Sequence, residues 1–252
     1  MQASLDPANP HQAIPMKAYD ITNRLTDTAA ESITRQGAEE AALESHLLAL
    51  QEDFETLKRV GADAARLADA KLAMARTLVG LGRGEQAWPL GREAFDAFMD
   101  QEQFESAADC CEVLFRAEQP DSLVALGQGI WLAVTYPIDV ELAIELLNHV
   151  VEETPDDADG AAVAATTALF LSDVRAEGTQ RDNLVFFTSQ MLSNVARRHS
   201  EVDSQEAFDL WRDRLELREP EKFLVRLRNV VDVLVQDQWW FDREALQARL
   251  PD

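Results

Sequence analysis

Residues 68–101 read ADAKLAMARTLVGLGRGEQAWPLGREAFDAFMDQ. Ala75, Gly82, Ala87 and Ala94 recur through this stretch, with Leu78 between the first two. Small residues at such intervals let two antiparallel helices approach closely, and Gly82 supports the turn between them. The first helix is predicted over residues 63–81, where Leu67, Leu72, Ala75, Leu78 and Val79 fall at helical steps before Gly80 and Gly82. The second spans about residues 84–99 and contains Pro89, whose ring clashes with the preceding turn of a helix. That segment therefore kinks at Pro89 or begins near it.

The same reading extends in both directions. Upstream, one segment is expected from Tyr19 to Arg35, stopped by Gly37, and a second from Glu39 to Val60, closed by Gly61. In the second, Leu43, Leu47, Leu50, Phe54 and Leu57 make one apolar stripe. Downstream, helices are expected over 102–117, 122–134, 139–153 and 157–176, the last ending at Gly178. Further segments cover 181–199, 204–217 with Ser204 as cap, 221–235 opened by Pro220, and 242–250. About twelve helices with short connectors and no convincing strand result, with contacts mostly between sequential helices. The expected fold is all-α, built of antiparallel helix pairs that form a solenoid or an irregular helical bundle. Its parts are a mobile arm over 1–16, with Pro7, Pro10 and Pro15, N-terminal helices over 17–62, an acidic helical region over 63–178, and C-terminal helices over 179–252 packed on the same body.

Ala75, Gly82, Ala87 and Ala94 stand at the spacing at which a tetratricopeptide repeat places its small residues, and Leu78 at its large apolar position. On these residues the segment resembles the tetratricopeptide-repeat family. A partial second match surrounds Ala143, with Pro155 twelve residues later, although Trp131 falls where a small residue belongs. Ala87 and Ala143 lie 56 residues apart, which is no multiple of the 34-residue period. The resemblance implies a superhelix of helix pairs whose concave face binds peptides or partner proteins. It carries over no functional residue, because the binding residues of that family vary by member. The alternative is that alanine at helical spacing marks close packing in a generic bundle.

The charge is unevenly spread. Of the net −23, −17 falls in residues 93–174, where eighteen carboxylates meet one basic residue, Arg116. A localised field of that sign suits a basic or amphipathic segment of a partner protein. It argues against nucleic acid and anionic membrane surfaces, whose phosphates it repels. No apolar stretch reaches the ~18 residues of a membrane span, and the N-terminus shows no apolar signal region, so cytoplasm is the expected location. The two cysteines, Cys110 and Cys111, are adjacent, which suits a reducing compartment and no disulfide framework.

Within the acidic region, Glu102, Glu105, Asp109 and Glu112 step by three, four and three and are expected on one helix face. Glu93, Asp96 and Asp100 repeat the pattern upstream, and Glu141 and Glu145 downstream. Like charges so placed weaken a helix by roughly 0.2–0.5 kcal/mol per pair. Such a face is a solvated surface, a docking surface for a basic partner, or a divalent-cation site. A calcium loop at residues 154–160 fails, because Pro155 breaks the alternation and Ala165 stands where a closing glutamate belongs. The aspartates there suit helix capping instead. His11, His46, His149 and His199 are scattered without ligand spacing, so no metal is expected. No nucleophile motif, phosphate loop or dinucleotide fingerprint occurs, so neither a catalytic residue nor a cofactor is assigned.

Near the C-terminus, Trp239 and Trp240 precede Phe241. Adjacent tryptophans point to different sides, so either both seal the end of the core or one anchors a partner. Arg212, Arg214, Arg218, Lys222, Arg226 and Arg228 form a basic stretch able to pair with the acidic middle of the same chain or of a second copy.

The expected function is a protein–protein interaction module (scaffold, adaptor or assembly chaperone) that binds a basic or amphipathic partner through an acidic helical surface. Glu102, Glu105, Asp109, Glu112, Glu141, Glu145, Trp239 and Trp240 are its candidate contacts. A helical-bundle enzyme or cofactor-binding accessory protein, and a self-assembling homo-oligomer, are the alternatives.

Overall fold

The structure, a computed structural model, describes the backbone of residues 21–250 and the side chains of residues 36–250. The expected arm over 1–16 lies outside the described residues. The chain divides into two compact units, Met1–Ala42 and Leu43–Asp252. Among the described residues there are eleven helices and no strand: α1 (Ile21–Val60), α2 (Ala64–Gly80), α3 (Gly84–Asp100), α4 (Phe104–Arg116), α5 (Ser122–Thr135), α6 (Val140–Glu153), α7 (Asp159–Arg175), α8 (Gly178–Ser200), α9 (Gln205–Arg214), α10 (Pro220–Val235) and α11 (Arg243–Gln247). None of them is long and apolar enough to cross a membrane.

Several local expectations need correction. No break occurs at Gly37, since α1 runs through it. Gly37 is exposed with open space around it, and nothing there pulls the chain off the helical path. Pro89 neither starts α3 nor ends it. The helix opens five residues earlier, and the carbonyl that Pro89 leaves without an N–H belongs to exposed Glu85, where water can serve it. Gly178, in the left-handed region at φ +53°, opens α8 rather than closing α7. Asp156 and Asp157 cap nothing. The cap position of α7 is Ala158, without a side-chain bond, and Asp159 reaches instead to Arg226 (2.6 Å) and His199 (3.1 Å).

Other ends follow their sequence signals. Asp63 accepts from the Arg66 N–H at 2.9 Å, Ser204 from the Ala207 N–H at 3.3 Å, and Pro220 occupies the first turn of α10. Four helices stop alike, with a residue in the left-handed region followed by an N–H that reaches back five residues. The closing bonds are Ala62 to Leu57, Arg83 to Leu78, Gln103 to Phe98 and Leu217 to Arg212. The left-handed residues are Gly61, Gly82, Glu102 and Glu216.

In the second unit, helices pack in sequential pairs: α2 on α3, α3 on α4, α4 on α5, α6 on α7 and α7 on α8. The turns between them are short, so neighbours run antiparallel. The even-numbered helices α2, α4, α6 and α8 also touch in turn and form a row. Ala75, Ala87 and Ala94 are fully buried between α2 and its neighbours, as their spacing predicts. On the opposite side α10 folds back against α5 and α7. Those two helices are buried all round from Val124 to Ile130 and from Ala161 to Ala168.

Close approach there depends on two glycines of α5. A Cβ on Gly127 would stand 2.6 Å from Val235 Cγ2 on α10, and one on Gly129 would stand 2.7 Å from Cys111 Cβ on α4. Between them lies Gln128, fully buried, whose amide donates to the Gln238 carbonyl at 2.9 Å and accepts from the Trp240 N–H at 3.4 Å. This clasp holds the C-terminal segment on the α3–α5 side.

Candidate functional site

Seven of the eighteen carboxylates of residues 93–174 lie on α4 and α6 of the even-numbered row. Asp139 caps α6 by accepting from the N–H groups of Glu141 (2.9 Å) and Leu142 (3.0 Å). Its own N–H donates to the Glu105 carboxylate at 2.9 Å, which ties the start of α4 to the start of α6. The groove between them, about 370 Å³, is lined by the carboxylates of Glu105, Asp109, Asp139, Glu141 and Glu145, with Ser106 and Leu142. Arg76 of α2 reaches Asp109 at 2.5 Å from the edge, and no basic side chain lines the groove itself.

The expected single face of four carboxylates is divided in three. Glu102 is not on α4. It sits in the α3–α4 turn and pairs with Arg249 at 2.7 Å. Glu105 and Asp109 face the groove. Glu112 turns inward and is 1% exposed, because nearly every residue of α4 from Ala107 to Leu114 is covered by α2, α3, α5 or α6. Its carboxylate accepts from Arg116 Nη1 at 3.3 Å and from Arg76 Nη1 at 3.5 Å, and His149 Nε2 stands 3.8 Å away. Burial pushes the Glu112 carboxyl up, but His149, Arg116 and Arg76 outweigh it and hold the group below its ordinary value. Glu145, one turn before His149 on α6, is pushed the other way by partial desolvation of its exposed side chain and by the Glu112 charge. His149 packs its ring against Phe115, with centroids 4.5 Å apart, and its Nε2 is buried without a hydrogen-bond partner.

Glu141, at the groove mouth, accepts from Gln180 of α8 at 2.9 Å. Past α6 the row changes character. Phe187 (51% exposed), Met191 and Val195 of α8 line a second groove with Asn148, Val151 and Arg198. Phe187 and Arg76 carry no signal in the sequence, and His149 is expected there only as one of four scattered histidines without ligand spacing. The Glu-x-x-x-His step at 145–149 is its one trace, and one His on a helix with an apolar face gives little signal.

Trp239 and Trp240 are elsewhere. Trp240 meets Phe95 at 5.1 Å and Trp88 at 6.3 Å, both on α3, with Arg92 stacked on its ring at 4.0 Å. Trp239 meets Trp131 of α5 at 6.2 Å and carries Arg243 over its ring at 4.6 Å. Both are half-buried in the protein's own aromatic cluster. The basic stretch over 212–228 is largely occupied nearby as well. Arg218 holds Asp209 and Asp213, Lys222 holds Glu216 and Glu219, and Arg228 holds Asp232. Only Arg226 of that stretch reaches the acidic region, at Asp159.

No protein-family model matches the chain, and comparison with curated proteins and with solved structures finds no match to it.

Proposed function

We propose that the protein is a binding module whose α4–α6 face receives a basic, amphipathic segment of a partner protein. The observation that carries this reading is the groove with five carboxylates and no basic side chain in its lining. Its field attracts a cationic segment and orients it, while the adjoining Phe187–Met191 groove offers apolar contact that slows departure. Weak cover of the acidic region by the protein's own basic stretch leaves that field available. The resemblance to tetratricopeptide repeats agrees with peptide binding along a row of helices.

The test uses a fluorescent lysine-rich amphipathic helix of heptad pattern, with binding followed by anisotropy at low and high salt. Reversing Glu105 and Glu141 to lysine should abolish most binding, whereas reversing exposed Glu206 and Glu244, the same change in charge elsewhere, should leave it nearly intact. Equal loss in both pairs would reduce the effect to net charge and sink the proposal. Glu112 is unsuitable for reversal, since a buried lysine there would disrupt the fold.

A further inference from the structure

We infer that Glu112, Glu145 and His149 form a binding site for a first-row divalent cation of the zinc class, beneath the α4–α6 face. The ligand atoms of these three side chains all lie within 4.8 Å of one another. Two donors bound to one zinc at about 2.0–2.1 Å in tetrahedral geometry stand roughly 3.3 Å apart. His149 Nε2 and Glu112 Oε1, at 3.8 Å, are close to that separation already. Glu145 is exposed and free to rotate its carboxylate inward.

The independent observation is the state of His149. Its Nε2 is buried and has no hydrogen-bond partner. At 3.8 Å the nearest Glu112 oxygen is too far to accept a hydrogen bond from it. A buried ring nitrogen with no partner is costly, and a metal ion supplies one. Its other nitrogen, Nδ1, lies 4.0 Å from Glu152 Oε2, beyond hydrogen-bond reach, so that carboxylate would orient a metal-bound imidazole only after closing in. Arg76 and Arg116 in turn hold Glu112 in place.

Charge agrees. Asp109, Glu112, Glu145 and Glu152 stand against Arg76 and Arg116, so with a neutral imidazole the cluster carries two uncompensated negative charges. One nitrogen and two carboxylate oxygens favour zinc, cobalt or manganese over magnesium and calcium, which prefer oxygen alone. Three protein ligands leave a further position for water.

The full chain, stripped with a chelator, is titrated with Co²⁺ and then with competing Zn²⁺, following the visible cobalt bands and the imidazole proton resonances. No partner takes part, so the result is independent of peptide binding. One cobalt per chain is expected, displaced by zinc, with one of the four histidines shifted. Glu145→Gln and His149→Gln should each weaken binding at least about tenfold. Glu145 is exposed, so its amide keeps the fold, which circular dichroism verifies. Only diffuse, weak binding, or binding that survives either substitution, overturns the site.

Discussion

At the residue scale, the two cysteines give a sharp expectation. Cys110 and Cys111 are fully buried. Burial pushes both thiols above their ordinary range, reinforced by the Asp109 charge for Cys110 and by Cys110 itself for Cys111. The thiolate is the reactive form, so Ellman's reagent at pH 8 should titrate neither thiol in the native protein and both in denaturant. Rapid native reaction would contradict this burial. The same shift sets a pH dependence. The unfolded chain loses these protons near the ordinary thiol range, about 8.5, while the folded chain keeps them. Their contribution is therefore complete below that range and declines as pH climbs through it. Adjacency of the cysteines was legible, and so was the absence of a bridge. Glu112 was not legible, because a three- and four-residue step describes a helix face but not which neighbour covers it. Only the partner helices, with Arg76 and His149, decide that this carboxylate lies inside.

At the element scale, most helices could be read from apolar period and punctuation, and two of the misplaced ends share a cause. Gly61 and Gly82 mark two ends that close through a left-handed residue, but Glu102 and Glu216 close two others in the same conformation. A glutamate there gives no sequence signal, which is why Glu102 was expected inside α4. The conformation costs an L-residue about 1–2 kcal/mol, partly offset because glycine is freer in the unfolded chain. Glu216→Gly should therefore raise stability by roughly 0.5–1 kcal/mol. The Lys222 pair it removes is exposed and long at 3.5 Å, and Lys222 keeps Glu219. Gly82→Ala should lower stability by a similar amount, although a Cβ there meets open space. Urea midpoints moving oppositely in the two variants would bear this out. A fall with Glu216→Gly would show that the turn depends on the glutamate side chain.

At the scale of the whole second unit, the return of α10 changes the energetics. A row of helices that touch only their neighbours unfolds from its ends, because each contact is local. Here α10 contacts α5 and α7, Phe223 meets Phe170 at 5.7 Å, and Trp240 joins Phe95 of α3. Helices distant in sequence thus share one covering layer. The apolar runs of α5 and α7 suit burial on both sides, but nothing in them names α10 as the cover. The fit depends on Gly127, whose contact is visible only once the helices meet. Because that layer joins α3, α5 and α7, residues 43–250 should unfold in one urea transition. A chain ending at Arg218 lacks the layer and uncovers Phe95, Leu126 and Phe170. It should unfold at lower urea, over a broader range and with a smaller slope, since less surface is exposed in each step. Circular dichroism distinguishes the cases. A shortened chain with an equally steep transition would show that the sequential pairs cooperate without α10, and that the acidic row on the far side owes its rigidity to α2, α4, α6 and α8 alone.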